Sequence, residues 1–355
     1  MRRFFSLAAA GVLLLTGCAG QTDPAEETPE TRQIIAMDTV VQFALYGQGA
    51  GETVQAAVEQ VQELERLLDR TETGSQVSLL NQQAGELTAV DGTVYELIDA
   101  ALAYSRETAG CFDITVAPVM DAWGFAAEEQ RVPEPAELEK LLPRVDSALV
   151  TLEAGEMPRI ALAEGQAIDL GGIAKGYASD RMAALFAQEE VERGWVSLGG
   201  NVLAWGTRPD GQPWQIGVQD PRYPNEEQVV GLVGLEDAFA VTSGGYQRYF
   251  EEDGVTYHHI IDPATGYPAD GGLTSVTVVA PAETAAGPGN GTLCDALSTA
   301  LFVMGEERAL DFWRTSSHNF DLILVTEDGR VLVTAGIEEA FTPDGESGYV
   351  YETVS

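Results

Sequence analysis

Three segments of the sequence carry residues whose types and spacing suit chemistry. The first is Ile168-Asp169-Leu170-Gly171-Gly172-Ile173-Ala174-Lys175-Gly176-Tyr177-Ala178. Paired glycines permit a tight turn and close backbone approach to a ligand, just before an expected helix N-terminus. Lys175 could offset phosphate charge. The run lacks both the GxGxxG and the GxxxxGK[ST] order, so neither a Rossmann nor a P-loop assignment follows. A structural turn with a surface lysine accounts for the same residues. The second segment, Tyr257-His258-His259-Ile260-Ile261-Asp262-Pro263-Ala264-Thr265-Gly266, holds two of the three histidines. Neighbours on an extended strand face opposite sides, so one imidazole is expected in any given pocket. Imidazole near neutral pH serves as a general base or a metal ligand; otherwise His259 simply bonds the Asp262 turn. In the third, Cys294-Asp295-Ala296-Leu297-Ser298-Thr299-Ala300-Leu301, Asp295 and Thr299 lie four apart. On a helix they share a face, where carboxylate and hydroxyl oxygens could hold a hard cation. That pairing is also common in helix starts. Thr242-Ser243-Gly244-Gly245 is not GxSxG and reads as a backbone-capping turn. Phe112-Asp113-Ile114-Thr115-Val116-Ala117-Pro118 with Trp123-Gly124-Phe125 reads as an aromatic cluster around a proline.

The elements that must position these groups follow from periodicity. Ile34 to Tyr46 reads as a first strand. Val54, Ala57, Val58, Val61, Leu64, Leu67 and Leu68 fall at helical spacing. Ser75 is placed to cap a short helix to Asn81, and a second helix spans about Asp91 to Thr108, ended by Gly110. Helices are also expected at 136–142, 175–188 and 293–303. Short strands are expected at 195–198, 214–218, 228–235, 238–242, 274–280, 320–326 and 331–334. This mixture is α+β or mixed α/β, without a regular βαβ series or an internal repeat.

The 355 residues are long enough for a substantial core, and 45% are hydrophobic. Lys and Arg number 19 against 56 Asp and Glu, a net charge of −37. That balance argues against nucleic acid as a partner, because phosphate-backbone binding needs dense positive charge. Met1-Arg2-Arg3 precedes the apolar stretch Phe4 to Leu15, too short for a convincing membrane span. It ends in Leu15-Thr16-Gly17-Cys18, which looks like a bacterial lipoprotein processing box. Residues 1–17 are therefore expected to be a signal peptide, with Cys18 lipidated. Residues 18–33 are expected to be an acidic flexible tether, and 34–355 the functional domain, with room for two subdomains. The expected location is the outer face of the cell membrane. Beyond Cys18 only Cys111 and Cys294 remain, too few for a four-cysteine metal site.

Taken in order, these segments resemble the ApbE-like family of FAD:protein FMN transferases. The matching stretches run from Met37-Asp38-Thr39 through Ser75 to Asn81, Phe112-Asp113, Trp123-Gly124-Phe125 and the Asp169 to Gly176 turn. They continue through Ser197-Leu198-Gly199-Gly200-Asn201, Thr242-Ser243-Gly244 and the His259 segment, and end in the Asp295 helix near Gly305. The resemblance implies an α+β, T-fold-like architecture with mixed sheets and packed helices. It implies a FAD site lined by Met37, Cys111, Phe112, Asp113, Asp169, Lys175 and Ile261. It also implies Mg²⁺ held by Asp295, Thr299 and a backbone oxygen at Gly172 (Ala174 the alternative), with Ser298 contributing. His259, oriented by Asp262, would deprotonate a Ser/Thr hydroxyl of an acceptor protein, which takes FMN as AMP leaves. Expected acceptors are proteins of membrane or extracellular electron transfer. The alternatives are a FAD pyrophosphatase giving FMN and AMP, or a non-catalytic FAD-binding lipoprotein. Cys111 and Cys294 are expected close together, since both flank site positions. Asp38 stands where the family has a second glycine, Thr71 where an aromatic is usual, and Cys111 where a small residue is more common.

Overall fold

The first structured element begins earlier than its composition suggests. In the computed structural model, which describes residues 28–355 except 126, 128 and 286, strand β1 (Glu30–Ala36) forms a hairpin with β2 (Thr39–Tyr46). Glu30 to Gln33, assigned above to the tether, pair in register from Glu30↔Leu45 to Gln33↔Gln42. Their side chains stay exposed, so the backbone ladder rather than apolar burial holds them, and composition carried no sign of it. The single strand expected over Ile34–Tyr46 is likewise two. Met37 (φ 52°) and Asp38 (φ 57°) turn the chain between them, as a two-residue mirror-image turn requires. The expected signal peptide, Cys18 and the rest of the tether to residue 27 lie outside the described residues.

After the hairpin come α1 (Ala50–Leu68), α2 (Gln76–Gln82), the two-residue β3 (Thr88–Ala89) and α3 (Gly92–Glu107). Ser75 accepts from Ser78 N and Asp91 from Thr93 N, so both helices start at local caps. Next are α4 (Ala117–Trp123), α5 (Pro135–Leu141), β4 (Thr151–Glu153), β5 (Arg159–Ala161) and α6 (Ala174–Gln188). Five strands follow: β6 (Arg193–Leu198), β7 (Asn201–Trp205), β8 (Trp214–Gln219), β9 (Val229–Leu235) and β10 (Ala238–Gly244). A ribbon of β11 (Tyr249–Glu252) and β12 (Val255–His258) precedes β13 (Leu273–Pro281). Helices α7 (Asn290–Met304) and α8 (Glu306–Thr315) lead to β14 (Asp321–Thr326), β15 (Arg330–Thr334), β16 (Phe341–Pro343) and β17 (Val350–Val354).

Nine strands form one sheet in the order β1-β2-β6-β7-β10-β13-β14-β15-β17, antiparallel until the parallel β15–β17 pair. Side-chain alternation gives it two apolar faces. Val276, Val278, Leu322 and Leu324 join the helical layer, whereas Val279, Ile323 and Val325 face the three-stranded β16-β9-β8 sheet. The class is α+β. Among the described residues no helix is long and apolar enough to cross a membrane. Cys111 and Cys294 are buried free thiols, not a disulfide.

Helices α6 and α7 cross in the helical layer at two glycines. A Cβ on Gly176 would collide with the carbonyl oxygen of Gly291 and lie 2.6 Å from the Asp295 Cβ. Gly176→Ala is therefore expected to destabilise the fold by about 3 kcal/mol, the upper range for overpacking. Denaturant melts check this; an unchanged midpoint would show that the helices can part freely.

Candidate active site

A cleft of about 980 Å³ opens beside the β1–β2 turn, the end of β10, the N-terminal turn of α6 and the middle of α7. Met37, Cys111, Phe112, Asp113, Asp169, Gly172, Lys175, His259, Ile261, Asp295 and Thr299 all line it. Asp262 and Ser298 do not.

Asp295 and Thr299 project from one face of α7, as their spacing predicts. Asp295 is buried; its Oδ2 accepts from Gly176 N at 2.7 Å, and its Oδ1 lies 4.0 Å from Lys175 Nζ. Burial pushes this carboxyl up, opposed by the Lys175 ammonium and by the amides of Gly176 and Lys175. Lys175 Nζ also donates to Gly171 O at 2.8 Å. The Gly172 position sits against the same corner: a Cβ there would lie 3.2 Å from the Phe112 ring and 3.6 Å from Thr299 Oγ1. Ser298 is one residue off this face, and its Oγ donates to Asp295 O at 2.9 Å. Ser298, expected to contribute to the metal site, is buried behind the cleft wall and does not line it. The hydroxyl on the cleft wall is Ser243, 2.8 Å from Ser298 Oγ and 3.3 Å from Thr299 Oγ1. Read from sequence as a capping turn, Ser243 reaches the corner because β10 ends beside α7.

These residues fit a divalent cation of the magnesium type. The donors are one carboxylate, hydroxyls and peptide oxygens, all hard, and Asp295 is buried with its Oδ1 4.0 Å from Lys175 Nζ. Among the described residues no group of three or more His, Cys, Asp or Glu is placed to hold a metal together.

The glycine turn is held from behind. Asp169 Oδ1 accepts from Gly171 N at 2.7 Å, and its Oδ2 from Arg70 Nε at 2.5 Å. Arg70 also donates to Asp121 Oδ1 at 2.8 Å, and its side chain is only 11% exposed. Asp113 is similarly occupied: Oδ1 accepts from Thr115 N and Oγ1, and Oδ2 from Ser147 N. Met37 N donates to Glu65 Oε1 at 2.7 Å, fixing the hairpin turn at the cleft edge. Cys111 receives a hydrogen bond from Arg308 Nη2 at 3.1 Å, and burial pushes its thiol up. Arg70 and Glu65 carry no local sequence signal because their partners are distant in the chain.

His259 and His258 diverge as strand alternation predicts. His258 turns inward, donating from Nε2 to Ala269 O at 3.0 Å and meeting Phe302 edge-on. His259 faces the cleft, with Nδ1 3.1 Å from Arg248 O, whose carbonyl also accepts from His259 N at 3.0 Å. A carbonyl only accepts, so Nδ1 carries the proton and Nε2 keeps its lone pair. The expected orienting role of Asp262 is not what the fold provides. Its Oδ1 accepts from Ala264 N at 2.9 Å and its carbonyl from Gly266 N at 2.8 Å. An Asp before Pro-Ala satisfies its own turn locally, and the Arg248 carbonyl across the ribbon orients the imidazole instead.

Desolvation, with Arg248, His258 and Lys175 nearby, lowers the His259 pKa to about 3. Because the folded value lies below the unfolded one, the stabilisation is whole above about pH 6.5 and is lost as pH falls toward the folded value. NMR of the imidazole is expected to show a neutral ring from about pH 8 to below about pH 5 in the ligand-free protein. A titration midpoint near the unperturbed value would contradict this.

The chain is similar to known proteins over most of its length. The model of the ApbE family matches residues 37–324. The FAD:protein FMN transferase of Treponema pallidum is 32% identical over 344 residues, covering 92% of each chain. That of Haemophilus influenzae is 33% identical, covering 77% of this chain and 78% of its own. Among solved structures, the ApbE protein of Thermotoga maritima aligns with a TM-score of 0.80 at 35% identity, covering 88% of this chain and 99% of that one. The Pseudomonas stutzeri flavinyl transferase ApbE aligns at 0.77 and 26% identity, covering 90% and 99%. The ordered motifs, the cleft that gathers them and these matches lead to one conclusion: the chain belongs to the ApbE family.

Proposed function

We propose that this protein is a Mg²⁺-dependent FAD:protein FMN transferase, moving FMN from FAD to a Ser/Thr hydroxyl of an acceptor protein with release of AMP. The observation that carries the reading is one cleft holding both an imidazole with an open Nε2 and a hard-oxygen corner. Relatives of the chain are named FAD:protein FMN transferases.

Asp295, Thr299 and the Gly172 carbonyl would hold the cation, with Ser243 beside them. When bound, it supplies charge neutralisation at the FAD diphosphate, easing AMP departure. Lys175 adds a positive charge, and Met37, Phe112 and Ile261 offer apolar walls for the rings. The acceptor oxygen bonds to the FMN-side phosphorus as the bond from that phosphorus to the AMP-side oxygen breaks. His259 Nε2 takes the hydroxyl proton, and AMP leaves with the bonding pair.

Lipid on Cys18 would tether the enzyme to the outer face of the cell membrane, with residues 19–29 as a short acidic spacer before β1. Its acceptors would be proteins of membrane or extracellular electron transfer. Cys18→Ser is expected to move the protein from the membrane to the soluble fraction. The decisive experiment incubates detergent-solubilised protein with FAD, Mg²⁺ and a Ser/Thr acceptor and records the acceptor's intact mass. A gain of one FMN with matching AMP supports transfer. AMP and FMN without a mass gain would replace it with FAD hydrolysis.

A further inference from the structure

Helices α6 and α7 start without caps of their own. The residues before them, Ile173 and Gly289, make no side-chain cap hydrogen bond. Each helix is capped instead by an aspartate of the other. Asp295 of α7 accepts from Gly176 N in the first turn of α6. Asp180 of α6 accepts from Gly289 N at 2.8 Å, Gly291 N at 2.7 Å, Thr292 N at 2.8 Å and Thr292 Oγ1 at 2.5 Å. Asp180 is fully buried, and these four bonds gather the otherwise orphaned donors of the α7 start around one carboxylate. Between the two caps the helices touch backbone to backbone, since a Cβ on Gly291 would lie 2.7 Å from Gly176 O.

The result is a closed ring. The glycine turn leads into α6, α6 carries Asp180, and Asp180 grips the α7 start. One turn further along α7, Asp295 returns to the N-terminus of α6, beside Gly172. We propose that Asp180 is a positioning residue for the divalent-cation corner. It sets the register of α7 against α6, and so holds Asp295 and Thr299 opposite the glycine turn. This inference rests on the cation reading given above. Magnesium demands near-ideal octahedral geometry, so a small slide of α7 is felt in cation affinity before it is felt in folding.

The test uses detergent-solubilised full-length protein and Mn²⁺ as the probe, its free concentration read by electron paramagnetic resonance. Asp180→Asn puts an amide NH₂ where a carboxylate oxygen now faces backbone N–H groups. It is expected to weaken Mn²⁺ binding about 10- to 100-fold, as loss of a supporting outer-shell group does. Val331→Ala, a cavity variant on the opposite face of the sheet, is expected to leave Mn²⁺ affinity unchanged despite a lower Tm. Equal weakening in both variants would mean that affinity follows global stability, and would overturn the proposal. Asp295→Asn separates the two layers of argument. If it retains Mn²⁺ binding, the cation reading fails and this inference with it. If it loses binding while Asp180→Asn stays within about twofold of wild type, the inference alone is overturned. Should Asp180→Asn not fold, Thr292→Val removes one donor to Asp180 and is expected to weaken Mn²⁺ binding by about two- to tenfold, the worth of one hydrogen bond. Unchanged affinity there would overturn the proposal.

Discussion

His259→Ala is expected to slow FMN transfer by about 10²- to 10⁴-fold, the range for losing a positioned general base. FAD binding should stay within a few-fold of wild type, because the imidazole is one edge of a wide cleft wall. The expectation rests on geometry: the Arg248 carbonyl engages Nδ1, which leaves Nε2 as the basic nitrogen facing the cleft. Single-turnover intact-mass kinetics with saturating FAD measure it. A wild-type rate would move the base elsewhere. Asp262→Ala is the sharp companion. Its carboxylate serves the 262–266 turn and not the ring, so the variant should lose about 1 kcal/mol of stability and keep most of its rate. A collapse in rate equal to that of His259→Ala would restore the orienting role that the fold denies it.

Asp295→Asn should reduce the transfer rate at fixed Mg²⁺ by about 10²- to 10³-fold, equivalent to several kcal/mol of charge stabilisation. It keeps an oxygen to accept from Gly176 N and loses the anion. The thermal signature is as informative as the rate. Mg²⁺ should raise the Tm of the wild type, because a ligand that binds only the folded state stabilises it, and should leave Asp295→Asn unmoved. Without metal, the variant should melt at or above wild type. Its buried carboxylate has Lys175 only at 4.0 Å from Oδ1, and a poorly paired buried charge is costly. A Mg²⁺-dependent rise in Tm that survives the substitution would place the cation at other oxygens.

Much of the scaffold was legible in the sequence. The apolar spacing of α1 and the cap at Ser75 report on residues a few positions apart. So do the shared face of Asp295 and Thr299 and the divergence of His258 from His259. Backbone sterics, capping and side-chain periodicity act over that range, and a family pattern in register added the identity of the cleft. What stayed hidden involves partners far apart in the chain. The exposed residues 30–33 became a strand because β2 offered a ladder. His259 is oriented by Arg248 and not by its near neighbour Asp262. Ser243 lies beside Thr299 on the cleft wall, Arg70 braces Asp169 across 99 positions, and Cys111 and Cys294 remain unbonded thiols. The sequence by itself thus determined which helices and turns form and which residues bring the chemistry. The tertiary structure decided which of those residues face the cleft and what orients them, because that depends on how the nine-stranded sheet and the crossed α6–α7 pair close around it.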